Sequence, residues 1–169
     1  MRIAVCGTTY SDPRSFVEGV AKFFQSPSKT TPIGPIDYMI ETTINLDNRS
    51  LHFKGAVQSL FHKKNSYKIV LSDTNAVIYL LPISRESATM ILDDLEVFSS
   101  LCHEIGYNHP IKYLFNDYWQ GSYRGPVFDL NEIEALTGLS SLQQTSISHD
   151  PTGIDIDVIR GIVKQLGTS

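Results

Sequence analysis

Ala76-Val77-Ile78-Tyr79-Leu80-Leu81-Pro82-Ile83 is a continuous apolar run, too short for a helix and with no polar residue to mark a wet face. A strand with this pattern is buried on both sides, and such strands belong to parallel sheets covered by helices on both faces. The flanking sequence agrees. Ser84 stands where a helix N-cap is expected, and Ala88, Ile91, Leu92, Leu95, Phe98, Cys102 and Ile105 then recur every three or four residues until Gly106. That spacing predicts a long amphipathic helix. Ile111 to Phe115 follows as a second buried strand, so strand, helix and strand form one crossover unit.

Working outward, Arg2 to Gly7 (RIAVCG) is another short apolar run closed by Gly, and Asp12-Pro13 supplies an N-cap and first-turn pair for a helix carrying Phe16, Val20, Phe23 and Phe24. Ser26 to Pro35 reads as a loop by composition. Ile36 to Leu46 and Leu51 to Val57 flank Asp47-Asn48-Arg49, the pattern of a hairpin. A basic, exposed helical segment is expected from Ser59 to Lys68. Beyond Phe128 come a short helix from Asp129 to Leu136, a strand from Leu142 to Ile147, and a last helix with Ile154, Val158, Ile162, Val163 and Leu166 on one face. Asp155 and Asp157 sit at the positive end of that helix. The expected fold is one three-layer α/β domain over residues 1–169. It has a six-stranded, mostly parallel sheet, about five helices, and Ile36 to Leu46 as a single antiparallel edge strand.

With 169 residues there is material for one ordinary domain. A hydrophobic share of 41% against 19% charged supports a packed core and argues against disorder. Fourteen basic against eighteen acidic residues leave a net charge of −4, which disfavours a general nucleic-acid binder. The two cysteines, Cys6 and Cys102, are far apart and form no metal-binding pair; they read as buried thiols of a reducing compartment. No stretch reaches the length of a membrane span and no leader precedes the first strand, so a cytoplasmic protein is expected.

In an open parallel sheet a ligand sits beyond the carboxyl ends of the strands. The loops after Gly7, Val57, Ile83, Phe115 and Ile147 are therefore the ones to inspect. The first reads Gly7-Thr8-Thr9-Tyr10-Ser11-Asp12-Pro13-Arg14-Ser15. A phosphate loop needs glycines for backbone approach, a Lys for the β/γ-phosphates and a hydroxyl for Mg²⁺. In strict register Asp12, Pro13 and Arg14 hold those three places; with one inserted residue, Arg14-Ser15 stands where Lys-Ser would. The hairpin after the first helix, the long helix after the AVIYLL strand and a strand ending in Asn116 together resemble the Ras-like small GTPase superfamily, with an Arf-like or bacterial gliding-type flavour; Thr31-Pro32-Ile33-Gly34 is similar to the Pro-Thr-Ile-Gly of Arf-like members with two residues exchanged.

The resemblance implies a nucleotide site at Gly7, Arg14, Ser15, Thr31, Asn116 and Ser146, and GTP or GDP with Mg²⁺ as ligands. The motifs themselves are degenerate. Gly55-Ala56-Val57-Gln58 lacks the Asp and the Gly of the Asp-x-x-Gly motif, leaving Gln58 as a surface glutamine or a displaced water-positioning one. Asn116-Asp117-Tyr118-Trp119 keeps the Asn of the guanine motif but not its Lys or Asp, and Thr145-Ser146-Ile147 is a fair match to the motif after the last strand. An Asp at position 12 would also occupy the anion seat of its helix. The expectation is a pseudo-GTPase with weak or no nucleotide binding, no cofactor and no catalytic residue. The alternative is an unconventional GTP hydrolase switch built on Arg14 and Ser15.

Tyr118, Trp119, Tyr123 and Phe128 crowd eleven positions and would serve as a plug for the old pocket or as a protein-binding surface. The basic segment with His62, Lys63, Lys64 and Lys68 is the competing contact surface. A protein partner is expected, and a second copy of the chain would also qualify. The histidines at 52, 62, 103, 109 and 149 lack metal-ligand spacing, and Asp93-Asp94 reads as a solvated face.

Overall fold

The computed structural model describes the chain except residues 9–10, 35–36, 58–62, 83, 86–87, 117–124, 141, 146–153, 155 and 168–169; of residues 57, 63 and 116 only the backbone is described. The elements run β1 (Arg2–Gly7), α1 (Pro13–Phe23), β2 (Ser28–Pro32), β3 (Tyr38–Leu46), β4 (Arg49–Val57), α2 (Lys63–Leu71) and β5 (Ala76–Leu81). They continue with α3 (Ala88–Glu104), β6 (Ile111–Asn116), α4 (Leu130–Thr137), β7 (Gln143–Thr145) and α5 (Ile156–Gly167). One sheet carries all seven strands in the order β2-β3-β4-β1-β5-β6-β7.

The apolar run that opened the sequence reading is β5, which lies between β1 and β6 and is parallel to both. All six of its residues are buried, and the twofold alternation of a strand divides them between two cores. Ala76, Ile78 and Leu80 join α1 and α5 on one face. Val77, Tyr79 and Leu81 join α2, α3 and α4 on the other. A polar residue anywhere in β5 would therefore be buried on one face or the other.

The sheet departs from the expected six strands. Ser28–Pro32, assigned to a loop from its Ser, Thr and Pro content, is a seventh strand paired antiparallel with β3 from Ser28↔Thr42 to Pro32↔Tyr38. Its side chains are mostly exposed, and it ends in Pro. Backbone pairing rather than side-chain burial makes this strand, and polar residues with a terminal Pro suit a sheet edge. The antiparallel strand β3 consequently lies inside the sheet. The β3–β4 turn is tighter than expected: Asp47 (φ 49°) and Asn48 (φ 63°) alone form it, as a two-residue hairpin of the primed type requires.

Three local expectations also change. Asp94 is not on a solvated face; it is buried on α3 beside Ile91, Phe98 and Leu101. Leu92 and Ile105 are instead exposed, at 43% and 42%. The helix is thus rotated by part of a turn relative to the stripe inferred from spacing. Ser84 forms an antiparallel bridge with Val127, and α3 begins only at Ala88. The basic segment is not wholly exposed, because α2 buries Ser66, Tyr67, Val70 and Leu71. The short helix α4 matches expectation closely: Asp129 and Glu132 form a reciprocal capping box, and Gly138 closes it at φ 69°.

Candidate functional site

The carboxyl ends of β1, β4, β5 and β6 meet at one edge of the sheet, and the β1–α1 junction lies there. Its geometry begins with Gly7. A Cβ at this position would fall 2.0 Å from Ser11 Oγ and 2.9 Å from the Leu80 carbonyl oxygen, so only glycine lets the chain turn this close to β5. The Thr8 amide donates to Leu80 O at 3.1 Å. The Ser11 amide and hydroxyl both donate to Thr8 O, at 3.1 and 2.7 Å. Thr8 and Ser11 are thus tied to each other by two hydrogen bonds.

Asp12 follows in the left-handed region (φ 45°, ψ 69°) and takes the N-cap position of α1. Its Oδ1 accepts from the Ser15 amide at 3.1 Å and its Oδ2 from the Ser15 hydroxyl at 2.5 Å. The Phe16 amide reaches Asp12 O at 3.3 Å. Helix N-termini attract anions because the first amides have no partner within the helix. Here the chain supplies its own anion. Arg14 turns away from the junction, and its Nε donates to Glu18 Oε1 at 2.7 Å on the outer side of α1.

Asp12→Ala should cost about 1–2 kcal/mol of stability, because it removes both cap bonds while leaving a Cβ at positive φ. Asp12→Gly should cost only a few tenths, since glycine takes that conformation freely. Urea unfolding of the two variants beside wild type measures the difference. Equal losses would mean that the cap bonds and not the backbone conformation set the cost.

α1 itself is seated by a second close approach. A Cβ on Gly55 of β4 would lie 2.9 Å from Val17 Cγ2 and 3.0 Å from Pro13 O, so the glycine lets the first turn of α1 rest on the sheet. Thr31 lies in β2 opposite Met39. The hydroxyls of Thr8 and Thr31 are buried and make no hydrogen bond among the described residues. The backbone of Asn116 closes β6 opposite Thr145. Ser146, Gln58, Tyr118, Trp119 and Tyr123 lie outside the described residues.

One contact at the junction had no signal in the local sequence. The Tyr67 hydroxyl of α2 donates to Gly7 O at 2.8 Å and lies 3.3 Å from the Tyr79 hydroxyl. The Tyr67, Val70, Leu71 spacing was the available clue that α2 has a buried face. On the outer side of α2, Lys64 and Lys68 both bind Glu104 of α3, at 2.5 and 2.9 Å, and hold its carboxyl down at about 2. The Lys63 backbone opens this helix.

Burial raises the Cys6 thiol far above its ordinary range, with a smaller contribution from Cys102, so it is no nucleophile. His52 contacts Thr43 at 2.9 Å and Glu41 at 3.5 Å on the exposed side of the hairpin. Among the described residues no group of three His, Cys, Asp or Glu side chains is placed to hold a metal ion, and no helix is long and apolar enough to cross a membrane.

No family model matches the sequence, and no curated protein matches it. Solved structures do. The cytosolic domain of L. pneumophila FeoB superposes with a TM-score of 0.59 at 13% identity, over 98% of this chain and 70% of that one. The cytosolic domain of the T. maritima FeoB iron transporter in its GMPPNP form gives 0.56 at 11% identity, over 98% and 63%. The G domain of the same transporter alone gives 0.56 at 9% identity, over 99% of this chain and 98% of that one. The chain has the fold of a G domain. At this identity the likeness extends to the fold and no further.

Proposed function

We propose that this chain is a GTPase-like domain of the Ras-like type, with an Arf-like or bacterial gliding-type flavour, that binds GTP weakly or not at all and works through protein contacts, as a scaffold or regulatory subunit. The observation that carries the reading is the Asp12 carboxylate seated on the Ser15 amide and hydroxyl, where a phosphate would otherwise sit. A phosphate there would meet a like charge and find the Ser11 amide already bonded to Thr8 O. The T. maritima neighbour is described in GDP and GMPPNP forms; this chain shares that fold and carries Asp12, Pro13 and Arg14 at the start of α1.

Titration with fluorescent GTP, GDP and ATP, with and without Mg²⁺, tests the reading. Little or no binding at micromolar nucleotide is the expected result, and saturable, Mg²⁺-dependent guanine binding would overturn it. The buried hydroxyls of Thr8 and Thr31, without a hydrogen-bond partner among the described residues, favour a second reading, an active GTP hydrolase, because a metal ion or phosphate would satisfy them. That reading requires Arg14 to leave Glu18 and Ser15 to leave Asp12.

The partner is assigned to the aromatic loop rather than to α2. In a pull-down from the native host, Trp119→Ala should lose partner by about 30-fold, the effect of truncating a central aromatic anchor at ~2 kcal/mol. The Lys63→Glu/Lys64→Glu variant should lose far less, because rim charges contribute little. The opposite ranking would move the interface to α2. The same pull-down detects a second copy of the chain as partner if tagged and untagged forms are co-expressed.

A further inference from the structure

β2 forms one edge of the sheet, and four of its five residues are exposed. Its pairing with β3 fixes which backbone groups that edge presents. The Ile33 amide donates to Asp37 O at 2.9 Å, in the register that also pairs Thr31 with Met39 and Lys29 with Glu41. Backbone groups along an antiparallel strand point alternately to one neighbour and to the other. Lys29, Thr31 and Ile33 therefore bond to β3, while the N–H and C=O of Ser28 and Thr30, and the C=O of Pro32, point outward. Among the described residues nothing bonds to these outward groups.

We propose that the free edge of β2 pairs antiparallel with β2 of a second copy of the chain, with Thr30 on the two-fold axis, so that one sheet runs through both molecules. In this register Thr30 meets Thr30 of the second copy, and Ser28 meets its Pro32. Each Thr30 amide donates to the other Thr30 carbonyl, and each Ser28 amide to a Pro32 carbonyl, so every outward amide finds an acceptor. Lys29 meets the uncharged Thr31. Moving the axis to Lys29 would set two ammonium groups opposite each other. Moving it to Thr31 would leave Ser28 unpaired and turn the Thr30 carbonyl toward Pro32, which has no N–H to give. Lys and Pro protect edge strands against indiscriminate pairing, and here they exclude the neighbouring registers and leave one. Tyr38, 41% exposed, pairs with Pro32 and adds an aromatic side chain one strand in from the seam. The pairing consumes both β2 edges, so assembly through this contact stops at the dimer. A strand of five residues makes a small contact, and the dimer is transient. It is independent of whether nucleotide binds and uses a surface other than the aromatic loop.

Sedimentation of the full chain from about 10 µM to about 1 mM should show the average mass rising from 18.9 kDa toward twice that value. Thr30→Pro removes an outward N–H and none of the β2–β3 bonds, and should weaken association at least ~10-fold. Thr30→Cys supplies a second measurement. Cα atoms of a hydrogen-bonded antiparallel pair are about 5.5 Å apart, within disulfide range, and the native cysteines are buried. Under mild oxidation this variant should form disulfide-linked dimers at least ~10-fold faster than Ser99→Cys, which sits at an exposed position of α3 and reports random collision. A chain that stays monomeric at the highest concentration, or equal cross-linking rates for the two cysteine variants, would overturn the proposal. So would a dimer that Thr30→Pro leaves intact and Trp119→Ala abolishes, which would move the second copy to the aromatic loop. If Thr30→Pro does not fold, the ratio of cross-linking rates decides alone.

Discussion

Replacing Asp12 by Gly, Pro13 by Lys and Arg14 by Ser together should raise affinity for GTP at least ~10-fold, equivalent to about 1.4 kcal/mol. The first change removes the carboxylate from the Ser15 amide and hydroxyl and leaves a residue suited to φ 45°. The second supplies a cation for the β/γ-phosphates, and the third restores a hydroxyl in the first turn of α1. Charge-assisted bonds of this kind contribute about 1.5–3 kcal/mol each, so even partial success is measurable by fluorescent-nucleotide titration. Asp12→Gly alone should gain less, because it frees the seat without adding the cation. A folded triple variant with unchanged affinity would show that the backbone between Gly7 and Ser11, and not the Asp12 charge, excludes phosphate.

Phe98→Ala should be the most damaging single truncation among the α3 side chains, costing about 3–5 kcal/mol. Phe98 is 1% exposed and packs on Tyr79 at 4.5 Å and on Tyr67 at 5.4 Å, so removing it opens a cavity between α2, α3 and β5. Against a total stability of roughly 5–15 kcal/mol, that loss should lower the urea midpoint by about 2 M. Leu92→Ala, on the same helix but at an exposed position, should stay within about 0.5 kcal/mol of wild type. The pair discriminates between the helix face inferred from spacing, which includes both residues, and the face that is buried, which includes only Phe98.

That contrast indicates how far the sequence could be read. The layer order was legible because β5 is apolar at every position and the helices between strands carry regular stripes. β2 was not, because its pairing is made by backbone groups and its Ser, Lys and Thr side chains carry no burial pattern. The rotation of α3 escaped because positions three and four apart fit two neighbouring stripes equally well, and nothing in the local sequence announces that an Asp at 94 is buried. At the junction, the Asp12 cap was legible, since an Asp-Pro pair at a helix start has a local meaning. The Tyr67–Gly7 bond joins residues sixty positions apart, and no local pattern encodes it. Gly55 could be seen as a missing motif but not as the seat of α1, which depends on the distance between a helix and a strand.

Both cysteines of the chain are buried, Cys6 in β1 and Cys102 in α3, and burial lifts the Cys102 thiol to about 11 and Cys6 further still. The folded protein therefore offers a maleimide or disulfide reagent almost no thiolate at neutral pH. A single engineered surface cysteine, at position 69 for instance, would carry a dye without competition from the native pair. The native pair would in turn serve as a clock. Each thiol is modified only when its own part of the molecule opens, so the rate for Cys102 times the departure of α3 and the rate for Cys6 times the opening of the central sheet.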